Sequence, residues 1–153
     1  MSRTLLAAAF LAFALSAHAA DKGKKKPPAA VVKQDNVLVA ELRHAFRVLD
    51  LADPIYSGHR AKARAEINRA IAELEKEMKK RGLKAHHKKD AIDLPDRFSD
   101  ALLRETAREL ATVMKQIAGL PSTPHRAAAA KHVAKAVGEL ESALAAPRPK
   151  GSK

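Results

Sequence analysis

Two short stretches of the chain place an imidazole and a guanidinium side by side just after a helix-starting signal. One is Ser57-Gly58-His59-Arg60, and the other is Thr123-Pro124-His125-Arg126. Ser57 and Thr123 are residue types whose side-chain oxygen accepts from a first-turn N–H, which makes each an expected N-cap. His59, Arg60, His125 and Arg126 then fall in the first turn. Cations there oppose the helix dipole by a few tenths to about 1 kcal/mol. Writing the arrangement twice therefore calls for a compensating partner. Two chemistries would supply one. In the first, the pairs are structural: His59 donates to a carbonyl at the end of the preceding helix, and Arg60 pairs with Asp50 or Asp53. In the second, free N–H groups, an arginine fork and an imidazole form an anion cradle from His59, Arg60, His125 and Arg126. The structural reading is favoured, although Lys115 and Gly119 stand where Arg126 would need acids.

A second constellation is His86, His87, Asp90 and Asp93 in the stretch KAHHKKDAID. On a helical turn His86, Asp90 and Asp93 would align at i, i+4 and i+7, and imidazole with carboxylate suits zinc, copper or nickel. Lys84, Lys88 and Lys89 surround those donors and oppose a divalent cation, so solvated loop histidines are the better expectation. His44 and His132 flank apolar stripes and read as surface histidines. Met78 and Met114 read as core rather than haem ligands. No metalloprotease helix, nucleophile elbow, phosphate loop or pair of carboxylates on one buried face is present, so the sequence implies no enzyme and no cofactor. With aromatics at 3% and no tryptophan there is little to stack on bases, which argues against specific nucleic-acid binding.

Four periodic segments must position these residues. Leu38, Leu42, Ala45, Leu49 and Ala52 recur at helical spacing behind a cap at Asp35 or Asn36, broadened by Phe46 and Val48 and stopped before Pro54. Ala63, Ile67, Ala70, Ile71, Leu74 and Met78 form the second stripe, closed by Gly82. After a loop, Pro95-Asp96 opens a third segment with Phe98, Leu102, Leu103, Leu110, Val113, Met114 and Ile117 on one face. Thr123 and Pro124 open the fourth, which carries Ala129, Val133, Ala136, Val137, Leu140 and Leu144 and ends before Pro147.

The second and fourth segments match at an offset of 66 residues: His59, Arg60, Ala63, Ala70, Glu73, Leu74 and Glu75 against His125, Arg126, Ala129, Ala136, Glu139, Leu140 and Glu141. The first and third match more weakly near an offset of 65, as Leu38 with Leu103 and Leu49 with Met114. A duplicated helical hairpin accounts for this, and the expected fold is an all-α, up-down-up-down four-helix bundle. In that topology both His-Arg corners share one end and could act together on a polyanion. The run Asp53 to Arg60, DPIYSGHR, resembles a group of small exported bacterial proteins that carry D-x-x-Y-x-G-H-R at a helix start, often in tandem. The resemblance implies export and helical hairpins, and no activity.

Export is also read from the first residues. One positive charge at Arg3, an apolar run from Leu5 to Leu15 and small residues at Ala17 and Ala19 describe a cleavable signal peptide over residues 1–20, too short to anchor in a membrane. The expected compartment is the bacterial periplasm. There is no cysteine, so the core alone must hold the fold. Of the net charge of +12, Arg3 leaves with the signal; residues 21–34 hold Lys22, Lys24, Lys25, Lys26 and Lys33 against Asp21, and residues 147–153 hold Arg148, Lys150 and Lys153. Those two proline-containing basic tails are expected to be disordered, either as plain solvated ends or as contacts to anionic envelope polymers or lipid head groups. The bundle is expected over 35–146, with repeats at 35–82 and 95–146 joined by a connector at 83–94.

Overall fold

The computed structural model describes residues 29–52, 58–84 and 99–146. The segments expected as a signal peptide and as basic tails at 21–28 and 147–153, together with residues 53–57 and 85–98 with most of the connector, lie outside the described residues. Four helices pack together with no strand among the described residues: α1 (Ala29–Leu51), α2 (His59–Lys80), α3 (Ser99–Ala118) and α4 (Pro124–Ala145). α1 begins at Ala29, six residues before the expected cap. Residues 29–34, assigned above to a disordered tail, are helical, since Ala-Ala-Val-Val carries nothing that breaks a helix.

The expected stripes form the core. Leu38, Leu42, Ala45 and Leu49 of α1, Ala63, Ile67, Ala70, Leu74 and Met78 of α2, Leu103 and Leu110 of α3, and Ala129, Val133, Ala136 and Leu140 of α4 are all fully buried. Met114, Val137, Leu144 and Phe46 pack at its margin. Alanines at 63, 70, 129 and 136 let α2 and α4 approach, and this is the most extensive helix–helix interface.

The helix ends follow local chemistry. The Thr123 hydroxyl accepts from Arg126 N, and Pro124 occupies the first turn of α4. α2 differs from the expected start: its N-cap is Gly58, at φ 80, with no side-chain cap, and His59 is the first helical residue. Its other end closes on Gly82 at φ 71, with Gly82 N donating to Lys79 O and Leu83 N to Met78 O, a left-handed turn that suits glycine.

The direction of the helices departs from the up-down-up-down expectation. That topology makes α2 and α4 parallel. Instead His59, at the start of α2, meets Glu139 late in α4, and His125, at the start of α4, meets Glu73 late in α2. The two helices are antiparallel. α1 is antiparallel to α2, with Asp35 near Arg81 and Asp50 near Arg64, and α3 returns to its neighbour α4 through residues 119–123. So α1 and α4 run one way, and α2 and α3 the other. α1 sits against α2 and α3, α4 against the same two, and α1 and α4 are diagonal. The chain leaves α2 at one end and enters α3 at the other. That separation is about 30 Å for helices of this length, within reach of the intervening residues.

Candidate functional site

The two His-Arg corners lie at opposite ends of the bundle, which corrects the expectation of a shared end. At the first corner, Arg60 Nη1 donates to Leu49 O at 3.2 Å, Asp50 O at 3.3 Å and Ala52 O. It thereby closes the carbonyl end of α1, whose last groups have no helical partner. Arg64, rather than Arg60, takes the Asp50 carboxylate and also lies over the Phe46 ring at 4.4 Å. Among the described residues His59 meets no carbonyl; its Nδ1 bonds Glu139 Oε2 at 2.7 Å.

At the second corner Arg126 turns inward. Its side chain is 1% exposed and that of Asp35 is 0%. Arg126 Nε and Nη2 donate to Asp35 Oδ1 at 3.1 and 2.9 Å, Nη2 also reaches Oδ2 at 2.8 Å, and Nη1 donates to Pro121 O at 2.8 Å. Arg81 approaches Asp35 Oδ2 at 3.3 Å and pairs with Glu77. Burial pushes the Glu77 carboxyl up, but the Thr123 hydroxyl, Arg81 and Arg126 together hold it below the usual carboxylate range. The network ties α1, α2 and the start of α4 across the bundle diagonal, and only a side chain as long as arginine with a planar fork makes that bidentate reach. The acid that Arg126 needed was therefore Asp35, read from sequence as a helix cap.

Both arginine forks are thus engaged within the protein, and the two corners do not converge on a common ligand. The imidazoles belong to a reciprocal set along α2 and α4. His125 Nδ1 bonds Glu73 Oε2 at 2.7 Å, His59 bonds Glu139 in the same way, and between them His132 Nδ1 bonds Glu66 Oε2 at 2.6 Å. Between α1 and α3, His44 Nδ1 bonds Glu109 Oε1 at 3.0 Å. His44 and His132, expected as plain surface residues, are paired and partly buried. Lys76 and His125 hold Glu73 below the usual carboxylate range. For Glu66, burial acts upward and is outweighed by His132, Arg69 and Lys135. Glu109 goes the other way: burial raises it despite His44, and Glu41 and Glu105 add to the rise.

A cleft of about 370 Å³ between α1 and α3 is lined by His44, Glu105, Thr106 and Glu109, among others. His44 with Glu109 has the form of an oriented base, yet the hydroxyl beside it is engaged: Thr106 Oγ1 donates to Leu102 O at 2.8 Å. Among the described residues no three His, Asp or Glu side chains are set to hold a metal ion. His86, His87, Asp90 and Asp93 lie outside the described residues. The His–Glu partners were missed in the sequence, although His59/Glu139 and His125/Glu73 occupy equivalent positions at the 66-residue offset. No family model, no curated protein and no solved structure matches the chain.

Proposed function

We propose that the chain is an exported, non-enzymatic helical bundle, built from a duplicated hairpin, that works by electrostatic contact with anionic material of the cell envelope. The likeness to small exported proteins with D-x-x-Y-x-G-H-R segments is consistent with this reading. The observation that carries it is a division of labour between the two cationic residue types. Most of the described arginines pair within the protein: Arg43 with Glu75, Arg64 with Asp50, Arg69 with Glu66, Arg81 with Glu77 and Arg126 with Asp35. Lysines are left outside, and of the nine described only Lys76 is in an ion pair among the described residues. The sequence carries four further lysines at 22–26, and Arg148, Lys150 and Lys153 near the other terminus. The reciprocity of the His–Glu pairs along α2 and α4 supports the duplication.

The test is retention of the processed chain on an anionic matrix. Elution should move to lower salt when Lys22, Lys24, Lys25, Lys26, Arg148, Lys150 and Lys153 are changed to Gln, because exposed charges are screened within about 10 Å at 0.1 M salt. Unchanged elution would reject the role of the tails. Processing is checked separately by the N-terminus of the protein recovered from the periplasm, expected after Ala19 or Ala20.

A further inference from the structure

One end of the bundle gathers the start of α1, the last turns of α2 and α3, and the start of α4. Two of the acids there are withdrawn from the surface: Asp35 and Glu77 are buried, held by Arg126 and Arg81. A third, Glu73, is bonded to Lys76 and His125. Exposed around the same end are Lys33 on α1, Lys79, Lys80 and Lys84 at the end of α2, and Lys115 on α3. None of these five makes an ion pair among the described residues. The stems of Lys76, Lys79 and Lys80, with His125, line a shallow concavity of about 330 Å³.

We propose that this lysine-rich end seats the protein on the surface of an anionic phospholipid bilayer, with the ammonium groups among the headgroup phosphates. The inference rests on the anionic-contact reading above and names its partner and its docking face. The cations come from three helices about one end of the bundle, and a bilayer is broad enough to meet all of them together. They are lysines, mobile point charges that follow a fluid surface without needing a fixed phosphate geometry. Helix dipoles account for Lys79, Lys80 and Lys115 in last turns, but Lys33 and Lys84 lie outside them. No helix among the described residues is long and apolar enough to cross a membrane, so the contact is superficial. The chain enters α1 at this end directly after the lysines of 22–26.

Sedimentation of the processed chain with vesicles tests the assignment, using phosphatidylglycerol mixed into phosphatidylcholine against phosphatidylcholine alone. Near an anionic surface each lysine is worth about a five-fold gain in partition. Changing Lys79, Lys80 and Lys84 to Gln should therefore lower binding to the anionic vesicles about a hundred-fold, while far-UV circular dichroism shows the helical fold retained at the assay temperature. A companion variant with Lys22, Lys24, Lys25 and Lys26 changed to Gln separates the two ideas. Loss of binding in the first variant supports the docking face. Full binding in the first with loss in the companion overturns it and leaves the tail reading standing. Retention of the parent chain on heparin without vesicle binding overturns the bilayer as partner, and absence of both overturns the docking face and the functional reading together.

Discussion

Replacing Asp35 by Ala should be among the most damaging single changes in the chain. The substitution leaves the Arg126 guanidinium, 1% exposed, with Pro121 O but no carboxylate, and removes one of two acids near Arg81. Breaking a buried pair by deleting one partner typically costs about 3–5 kcal/mol, because the survivor stays buried and uncompensated. For a body of this size about 4 °C is lost per kcal/mol, so the melting point should fall by about 12–20 °C. Asp35→Asn should do nearly as much harm, since it keeps the shape and removes the charge. Removing both partners, as Asp35→Leu with Arg126→Met, should restore most of the loss, and the double-mutant cycle should return a coupling of about 2 kcal/mol or more. Urea denaturation followed by far-UV circular dichroism gives all four corners of the cycle. A cost below about 1 kcal/mol for Asp35→Ala, or additive single changes, would refute the view that this diagonal tie locks α1 to α4.

Other expectations follow from the same geometry. Glu66→Lys sets a cation against His132 beside Arg69 and Lys135, and should cost about 1 kcal/mol; adding His132→Glu should recover it, which chemical denaturation of the three variants would show. Glu66, Glu73 and Glu77 have lowered carboxyl pKa values, so the stability they contribute is complete above the usual carboxylate value and lost as pH falls through the lowered ones. Glu109 is raised, so its contribution has the opposite sign: it favours the fold while protonated and is lost as pH rises through its folded value. Glu77→Gln should thus flatten the acid limb of a melting-point-against-pH profile, and Glu109→Gln should not. Ala70→Leu or Ala136→Leu wedges the α2–α4 seam, where both alanines are fully buried, and should cost about 1–3 kcal/mol by thermal melting.

The helices and their buried faces could be read from periodicity because an amphipathic stripe is a property of one segment. Every residue assigned to the α2 face, from Ala63 to Met78, is buried. Direction was not legible in the same way. Leu74 and Leu140 are buried whether α2 and α4 run together or opposed, and the connecting segment is long enough for either. The carboxylate partners of His59, His125 and His132 distinguish the two cases, but Glu73, Glu139 and Glu66 read in isolation as ordinary solvated positions. Asp35 misled for a related reason. An aspartate ahead of an apolar run looks like a cap, and only the earlier start of α1 turns it inward toward Arg126.

The partners near the midpoints of the α2–α4 and α1–α3 interfaces are of opposite kind, Glu66 with His132 and His44 with Glu109. Were residues 29–80 docked in this manner against a second set of the same residues, Glu66 would meet Glu66 and His44 would meet His44. Two sets of residues 99–145 would bring His132 to His132 and Glu109 to Glu109. Each half thus carries an address that only the other half answers, so a concentrated solution of nascent chains has an electrostatic reason to sort left halves with right ones.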